Sequence, residues 1–315
     1  MFLFDLPLEQ LRTYSLPQVK EPDFDAFWER ALESSRAQPL DATAQEVEYP
    51  INELHVEKVS FAAYDGGRIV GWLVTLADSL PRPTLVFFHG YSGNRGKVAD
   101  YLLWALQGFT VLTFDVRGQC GDSTDHADYP SGRYTGWMTS GILTPEKYYF
   151  TRAYVDTVRA VDYACTRSEV EAESIGVSGV SQGGGLSLAA ASLDPRPRLC
   201  MPEVPAFGHF RRTLELTKAA PWTDLIVYFQ RRPWDLETAM RTLSYVELNN
   251  LADRIQCPTL VSCGLQDELC PPSTIFTAYN RIPVAEKRID TYAFNGHEGG
   301  LNKENQIAWA RQHLM

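Results

Sequence analysis

The sequence predicts an α/β fold in which helices cover both faces of a mostly parallel, twisted sheet. Near-continuous apolar segments of strand length recur along the chain, at 84–88, 109–115, 174–180, 198–204, 258–263 and 287–294. Segments with helical spacing alternate with them, at 97–107, 146–167, 184–193, 273–281 and 302–314. Strands that are apolar throughout and alternate with helices are typical of parallel sheets buried on both faces.

Two segments extend this alternation, and we predict that all 315 residues form a single domain. An N-terminal extension, about 1–55, contains helical spacing over 22–38, and a β-hairpin pattern follows around the turn at 65–67. Residues 206–250 place aromatic side chains at helical spacing between two core strands. This pattern predicts a helical insertion over the carboxyl edge of the sheet, where α/β folds bind ligands. The polar segment 119–145 is predicted to be an ordered loop.

Charge and cysteine usage narrow the possible partners. The formal net charge is −10 and no basic stripe offsets it, which disfavours nucleic acids and anionic membranes. The N-terminus lacks the basic and long apolar regions of a signal peptide, and no apolar run approaches the ~18 residues of a membrane span. We therefore expect a cytoplasmic protein. The six cysteines contain no C-x-x-C pair, no zinc-ligand spacing or phosphate-binding loop is present, and we expect neither metal nor cofactor.

A candidate nucleophile lies on a glycine-rich turn. Gly179–Gly183 has the form G-x-S-x-G and joins an apolar strand to a helix of small residues. On such a turn the Ser181 hydroxyl projects out of the fold, and glycines at 179 and 183 remove the Cβ atoms that would clash. The helix N-terminus directs backbone N–H groups toward an oxyanion that forms beside the serine.

A serine nucleophile needs a base and an acid that orients the base, and both follow in the expected order. Asp267 follows the apolar strand at 258–263, and His297 follows the strand at 287–294. Glu268 is the rival acid, disfavoured by its extra methylene. Asp267 alone also fits a turn former, and His313 fits a surface position on the last helix. The joint order of the three residues favours a catalytic triad.

The second oxyanion donor is expected on the turn after an earlier strand. The sequence His89–Gly93 follows the strand at 84–88, and the backbone N–H of Tyr91 is the candidate donor beside that of Gln182. His89 also fits a base or a metal ligand. We favour a turn-forming role for it because it precedes the acid in sequence.

Three short blocks carry a resemblance to a known family. They are Arg117-Gly118-Gln119, the Gly179–Gly183 element in the form GVSQG, and His297-Glu298. With these blocks, the chain resembles the acetyl xylan esterase and cephalosporin C deacetylase family, the seventh family of carbohydrate esterases, within the α/β-hydrolase superfamily. The likeness extends from the Phe4-Asp5-Leu6 start to the final helix.

The resemblance implies an α/β-hydrolase fold with Ser181 as nucleophile, Asp267 as acid, His297 as base, and Tyr91 and Gln182 as amide donors. It also implies an intracellular enzyme that removes acetyl groups from short xylo-oligosaccharides and from cephalosporin C. Members form a homohexamer, a trimer of dimers, whose active sites face an inner cavity.

Further roles follow from the same resemblance. Arg117, Gly118, Gln119, Gly179, Gly183 and Glu298 are structural motif residues, and we expect Arg117 and Gln119 to brace the loops that hold the triad. Tyr91, Trp222 and Tyr228 are expected to contact substrate. Trp104, Trp222 and Trp234 fit sugar stacking, although core or subunit packing is favoured for each. Cys120 stands where relatives more often carry glycine, so it and the divergent 206–250 segment leave specificity open.

Three alternatives remain. On the same fold, a broader short-chain esterase or thioesterase, or a peptidase, uses the same triad, although a peptidase usually needs an accessory domain that the sequence does not show. The third alternative, of a different class, is a catalytically inactive α/β hydrolase that serves as a binding module.

Overall fold

The computed structural model describes residues 4–78, 80–129 and 134–315. Within these ranges one sheet contains nine strands in the order β1-β2-β3-β5-β4-β6-β7-β8-β9. The strands are β1 Thr43–Glu46, β2 Leu54–Ala62, β3 Arg68–Leu76, β4 Arg82–Phe88, β5 Thr110–Phe114, β6 Val170–Val180, β7 Leu199–Glu203, β8 Thr259–Gly264 and β9 Lys287–Tyr292.

The sheet changes character between β3 and β5. Strands β1, β2 and β3 pair antiparallel, and β3 pairs antiparallel with β5. All pairs from β5 to β9 are parallel. The chain passes from β4 to β5 on one side and, from β6 onward, adds strands on the other side. The carboxyl ends of β4 and β6 are therefore neighbours at a topological switch point, where α/β sheets bind ligands.

The described residues form helices α1 Leu8–Leu11, α2 Phe24–Arg36, α3 Leu102–Ala105, α4 Tyr149–Ala164, α5 Gln182–Leu193, α6 Phe210–Leu216, α7 Trp222–Arg231, α8 Leu236–Val246, α9 Leu248–Leu251, α10 Pro272–Arg281 and α11 Lys303–Leu314. Short 3₁₀ helices span Val98–Tyr101, Pro145–Lys147, Pro233–Asp235 and Ala252–Arg254. Among the described residues, no helix has both the length and the apolar character needed to cross a membrane.

Helices cover both faces of the sheet, and β4 shows why its sequence is apolar throughout. Val86 and Phe88 belong to the larger core with α2, α4 and α5, whereas Leu85 and Phe87 belong to the second core with α3 and α11. Successive side chains of a strand point to opposite faces, so a strand between two helical layers needs apolar residues at every position.

The predicted fold class is confirmed, with local differences. The predicted parallel strands match β4–β9 to within a few residues. The helix expected over 97–107 is instead a 3₁₀ turn, Val98–Tyr101, followed by the short α3. The 206–250 segment is helical and contains α6, α7 and α8. Most aromatic residues of the segment lie on these three helices. Of the loop predicted over 119–145, residues 130–133 lie outside the described ranges.

Candidate active site

The turn after β6 holds Ser181 in a rarely occupied backbone conformation. Its φ is +60° and its ψ is −117°, a region that non-glycine residues occupy only when surrounding contacts hold them there. The Ser181 N–H donates to the Glu203 carbonyl (2.9 Å), and its carbonyl accepts from the N–H groups of Gly185 (2.9 Å) and Ala206 (3.0 Å). These bonds fix the serine at the first turn of α5.

The two glycines of the element allow strand β4 to approach this turn. A Cβ on Gly179 would lie 2.4 Å from the Phe88 carbonyl oxygen, and a Cβ on Gly183 would lie 1.9 Å from the same atom. Any side chain at either position would push α5 away from β4. The glycines therefore set the distance between the serine and the turn that follows β4.

Asp267 and His297 meet although 30 residues separate them. His297 Nδ1 donates to Asp267 Oδ2 at 2.8 Å, while Asp267 Oδ1 accepts the backbone N–H groups of Leu269 (2.8 Å) and Cys270 (2.7 Å). The carboxylate is fully buried, and the imidazole is one-fifth exposed. With Nδ1 committed to the aspartate, Nε2 is the nitrogen that remains for proton transfer.

The rival residues lie elsewhere or have other partners. Glu268 is exposed, and His313 lies on α11 beside Glu286, with 3.4 Å between Nε2 and Oε1. Both ring nitrogens of His89 are occupied, because Nε2 accepts the Val116 N–H (2.8 Å) and Nδ1 donates to the Gly90 carbonyl (2.7 Å). Burial lowers the pKa of His89, which agrees with a neutral ring that shapes the turn.

Gln119 connects the turn after β4 to the start of α5. Its Oε1 accepts the Ser92 N–H (3.0 Å), and its Nε2 donates to Gln182 Oε1 (2.9 Å) and to the Tyr149 hydroxyl (3.0 Å). The backbone N–H of Gln182 belongs to the first turn of a helix, where such groups have no intrahelical acceptor. The two candidate oxyanion donors, on Tyr91 and Gln182, thus belong to segments that a single buried side chain joins.

Arg117 anchors the loop that carries Gln119. Its guanidinium is buried and donates to both oxygens of Asp156 (2.6 and 3.0 Å), the Tyr64 carbonyl (2.8 Å), Asp65 (3.1 Å) and Asp125 (3.4 Å). Burial disfavours the guanidinium charge, but the carboxylates outweigh this effect and raise the pKa of Arg117. The bonds join the loop to α4 and to the β2–β3 turn.

The other two motif residues have simpler environments. Gly118 has a φ of +59°, and a Cβ there would lie 2.7 Å from the Asp125 Cβ, so the turn between Arg117 and Gln119 requires glycine. Glu298 is exposed and accepts a hydrogen bond from Asn295 Nδ2 at 2.6 Å. It lies beside His297 in sequence but faces solvent.

Ser181, His297, Tyr91 and Gln182 line one cavity of about 570 Å³. The insertion supplies a second wall with Ala220–Trp222 and Asp224, and Gly136 and Trp137 also line the cavity. Trp222 itself is almost fully buried, and its Nε1–H donates to the Leu269 carbonyl at 2.7 Å. The volume falls in the range, roughly 300–1,000 Å³, of small-molecule sites.

Other candidate contact residues lie away from this cavity within the described ranges. The Tyr228 hydroxyl donates to Asp235 (2.8 Å) in the interior of the insertion. Trp104 is buried in the second core, on the face of the sheet that α3 and α11 cover. Trp234 is 72% exposed on the insertion surface. Cys120 is exposed on the Gln119 loop and does not line the cavity.

Two functional-site neighbours were not identified from the sequence. Glu203 is buried at the end of β7 and accepts hydrogen bonds from the Gly300 N–H and from Lys303 Nζ, so it holds the loop that carries His297. Cys270 is buried, lines the cavity and hydrogen-bonds Ser181. Burial raises the pKa of its thiol well above the usual value. In the sequence, a glutamate at the end of an apolar strand is the pattern that could have indicated Glu203.

Two groups of residues in the described ranges have metal-ligand spacing. Asp267, Cys270 and His297 form one group, but two of them already bond each other. His55, Glu57 and Glu169 form the other, and the Arg167 guanidinium binds both of its glutamates. A cation there would have to displace the arginine charge.

Comparisons with known proteins identify the family. Residues 1–313 match the family described as acetyl xylan esterase (AXE1). A solved acetyl xylan esterase from Paenibacillus sp. R4 is 42% identical with a TM-score of 0.95, over 98% of this chain and 100% of that one. The acetyl esterase Axe7A of Xylanibacter ruminicola is 28% identical over 95% of this chain and 69% of its own length. The α/β hydrolase GrgF from Penicillium sp. sh18, 18% identical with a TM-score of 0.60 over 82% of this chain and 99% of its own, shares the fold.

Proposed function

The chain belongs to the acetyl xylan esterase family and is an acetylesterase; we propose that it removes O-acetyl groups from small acetylated carbohydrates through an acetyl-serine intermediate on Ser181. The observation that supports this mechanism most strongly is the Asp267–His297 hydrogen bond of 2.8 Å, because His297 lines the same cavity as the strained Ser181.

In the first step, His297 Nε2 removes the Ser181 proton as Oγ attacks the acetyl carbonyl carbon. The backbone N–H groups of Tyr91 and Gln182 donate to the oxyanion, a contribution worth on the order of 100-fold or more per donor. When the intermediate collapses, the alcohol leaves with the proton that His297 carries. Asp267 keeps Nδ1 protonated and stabilises the imidazolium.

In the second step, His297 removes a proton from water, which attacks the acetyl-serine carbonyl. The same two amides stabilise the second oxyanion. Collapse then breaks the ester bond, returns the proton to Ser181 Oγ and releases acetate.

The mechanism is tested with Ser181→Ala. Removing Oγ eliminates the covalent intermediate, so turnover of p-nitrophenyl acetate should fall at least about 10³-fold while the fold is retained. Circular dichroism and thermal unfolding check the fold, and labelling of the wild type by a fluorophosphonate probe checks the nucleophile. Near-native turnover by the variant would exclude Ser181 as the nucleophile. Absence of labelling and turnover in the wild type would favour the inactive binding module.

Acetylated xylo-oligosaccharides are the proposed substrates, with cephalosporin C as a further one. The family likeness and the small-molecule size of the cavity support this assignment. A broader short-chain esterase or thioesterase is separated from it by acyl-chain profiling. We expect kcat/KM to be highest for acetyl esters and to fall steeply toward octanoyl, and a maximum at longer chains would overturn the acetyl preference. Hydrolysis of acylaminoacyl peptides would favour the peptidase.

We further propose that the chain acts in the cytoplasm as a homohexamer, a trimer of dimers. The support is the resemblance to the family. Light scattering coupled to size exclusion tests the assembly, and a mass of six chains is expected. A monomer or dimer at micromolar concentration would overturn the hexamer, and recovery of the protein outside the cell would overturn the location.

A further inference from the structure

Asp224 is the one acidic side chain that lines the active-site cavity in the described part of the chain. It lies in the first turn of α7 and is 9% exposed. Its Oδ2 lies 2.6 Å from the position that a Cβ on Gly136 would occupy, and the Tyr91 hydroxyl lies 2.5 Å from the same position. The carboxylate therefore faces the cavity on the side of the Tyr91 turn.

The close approach at Gly136 explains why a glycine is needed there. Its φ is +64°, which favours glycine, and any larger residue would contact both oxygens. The Tyr91 hydroxyl also accepts the Trp137 N–H at 2.8 Å. The polar ends of Tyr91, on the sheet side, and of Asp224, on the insertion side, therefore come close together at Gly136.

The charge of Asp224 has no cationic counterpart in the cavity lining. No lysine or arginine of the described ranges lines the cavity, and burial raises the pKa of Asp224. Asp235 provides a contrast within the same insertion, because it bonds both Arg232 and the Tyr228 hydroxyl. A buried carboxylate without such partners is costly unless a bound molecule supplies hydrogen-bond donors.

We propose that Asp224 selects the alcohol part of the ester, an inference that rests on the esterase function proposed above. It accepts a hydrogen bond from a hydroxyl of a neutral polyol and repels leaving groups with a net negative charge. Asp224 is only 9% exposed, so solvent weakens its repulsion of an anionic group less than it would for a surface carboxylate. Acetylated xylo-oligosaccharides then rank above cephalosporin C, whose alcohol part carries carboxylates.

The test compares kcat/KM for three acetate esters: a mono-O-acetylated xylobiose, cephalosporin C, and phenyl acetate as a neutral reference without hydroxyls. Asp224→Asn removes the charge and keeps the shape, so the ratio of cephalosporin C to phenyl acetate should rise about tenfold. Asp224→Ala removes the acceptor, so the ratio of xylobiose acetate to phenyl acetate should fall about tenfold.

A second measurement uses the wild type alone. Raising NaCl from about 0.05 to about 0.5 M should leave most of the discrimination against cephalosporin C in place, because salt screens a buried charge much less than a surface charge. Asp235→Asn is the matched control, a buried acid of the same insertion outside the cavity lining, and it should leave both ratios unchanged. Ratios are compared because they cancel differences in the fraction of folded enzyme.

The proposal is overturned if neither ratio changes in the Asp224 variants, if Asp235→Asn changes them equally, or if salt abolishes the wild-type discrimination, which would assign it to surface charge. If the wild type still hydrolyses phenyl acetate in those cases, the proposed esterase function is retained and only the role of Asp224 is rejected. Failure of the wild type to hydrolyse any of the three esters would instead reject the proposed function itself.

Discussion

The two walls of the cavity are built differently. On the sheet side, Gln119 joins the two candidate oxyanion segments, and the buried Arg117 guanidinium donates hydrogen bonds to both carboxylate oxygens of Asp156. On the insertion side, α6 and α7 pack through aromatic rings. Among the described residues, no lysine or arginine lines the cavity beside Asp224, and the ion-pair partner of Glu247 is His209, with 3.8 Å between Oε1 and Nε2. The sheet side therefore holds the candidate catalytic segments in place, whereas the insertion side contributes the Asp224 carboxylate to the cavity lining.

The largest effect is expected at Asp267, the proposed acid of the triad, on the sheet side. Asp267→Asn keeps an oxygen that can accept the Leu269 and Cys270 N–H groups, but its amide N–H₂ faces His297 Nδ1 and favours the wrong imidazole tautomer. We expect kcat to fall on the order of 10⁴-fold with little change in unfolding temperature. Steady-state kinetics and thermal unfolding measure the two quantities.

Glu268→Gln is the matched control, because Glu268 is adjacent but exposed. It should retain the wild-type rate. A large loss in this variant, with a small loss in Asp267→Asn, would make Glu268 the acid and would break the assignment of the sheet side.

The next effect is expected in stability. Arg117→Ala leaves the Asp156 carboxylate buried without its guanidinium partner, and loss of one member of a buried pair costs about 3–5 kcal/mol of unfolding free energy. The activity of the folded fraction should also fall, because the loop that carries Gln119 loses its anchor. Denaturant unfolding and single-substrate kinetics test both effects.

Arg241→Ala is the control for this variant. Arg241 forms an ion pair with Glu21 (3.1 Å) but is 59% exposed, so its loss should cost at most about 1 kcal/mol. If Arg117→Ala changes neither folding nor rate, Arg117 does not brace the site.

A pH-dependent effect on stability is expected at Glu247, on the insertion side. Burial raises the pKa of Glu247 from 4.5 to about 8. Between these values the folded protein binds a proton that the unfolded chain does not, so stability should fall as pH rises through this window. Glu247→Gln keeps an acceptor for the Phe210 N–H and removes the titration. We expect its unfolding temperature to depend less on pH between 5 and about 8 than that of the wild type.

The control is Glu237→Gln, on the exposed surface of the same insertion, and it should follow the wild-type pH profile. An equal pH dependence in Glu247→Gln and the wild type would show that ionisation of Glu247 does not lower the stability of the folded protein. The contrast between the two walls would then rest on Asp224 alone.

Much of the sheet side could be predicted because local sequence controls it. The apolar strands β4 to β9 and the G-x-S-x-G turn need residues whose patterns are visible within a few positions. The split of the helix predicted over 97–107 could not be predicted in this way, since a 3₁₀ turn and an α-helical turn share nearly the same apolar spacing.

The insertion side shows the opposite case. Its helical nature follows from spacing, but the sequence does not indicate that Asp224 lines the cavity while Tyr228, one turn later, does not. Both positions are polar or amphipathic residues on the same helix. Only the packing of α7 against the rest of the fold decides which of them meets the substrate.

The sequence by itself determined the fold class, the order of the candidate nucleophile, acid and base, and the glycines of the turn at Ser181, because each depends on local backbone conformation and hydrophobic periodicity. Tertiary structure decided which buried groups are paired. Arg117 with Asp156 and Gln119 with Gln182 are joined across 39 and 63 residues, whereas Asp224 is left facing the cavity. Hydrogen bonding and desolvation depend on distances of a few ångströms, which the fold sets between residues that are far apart in the chain.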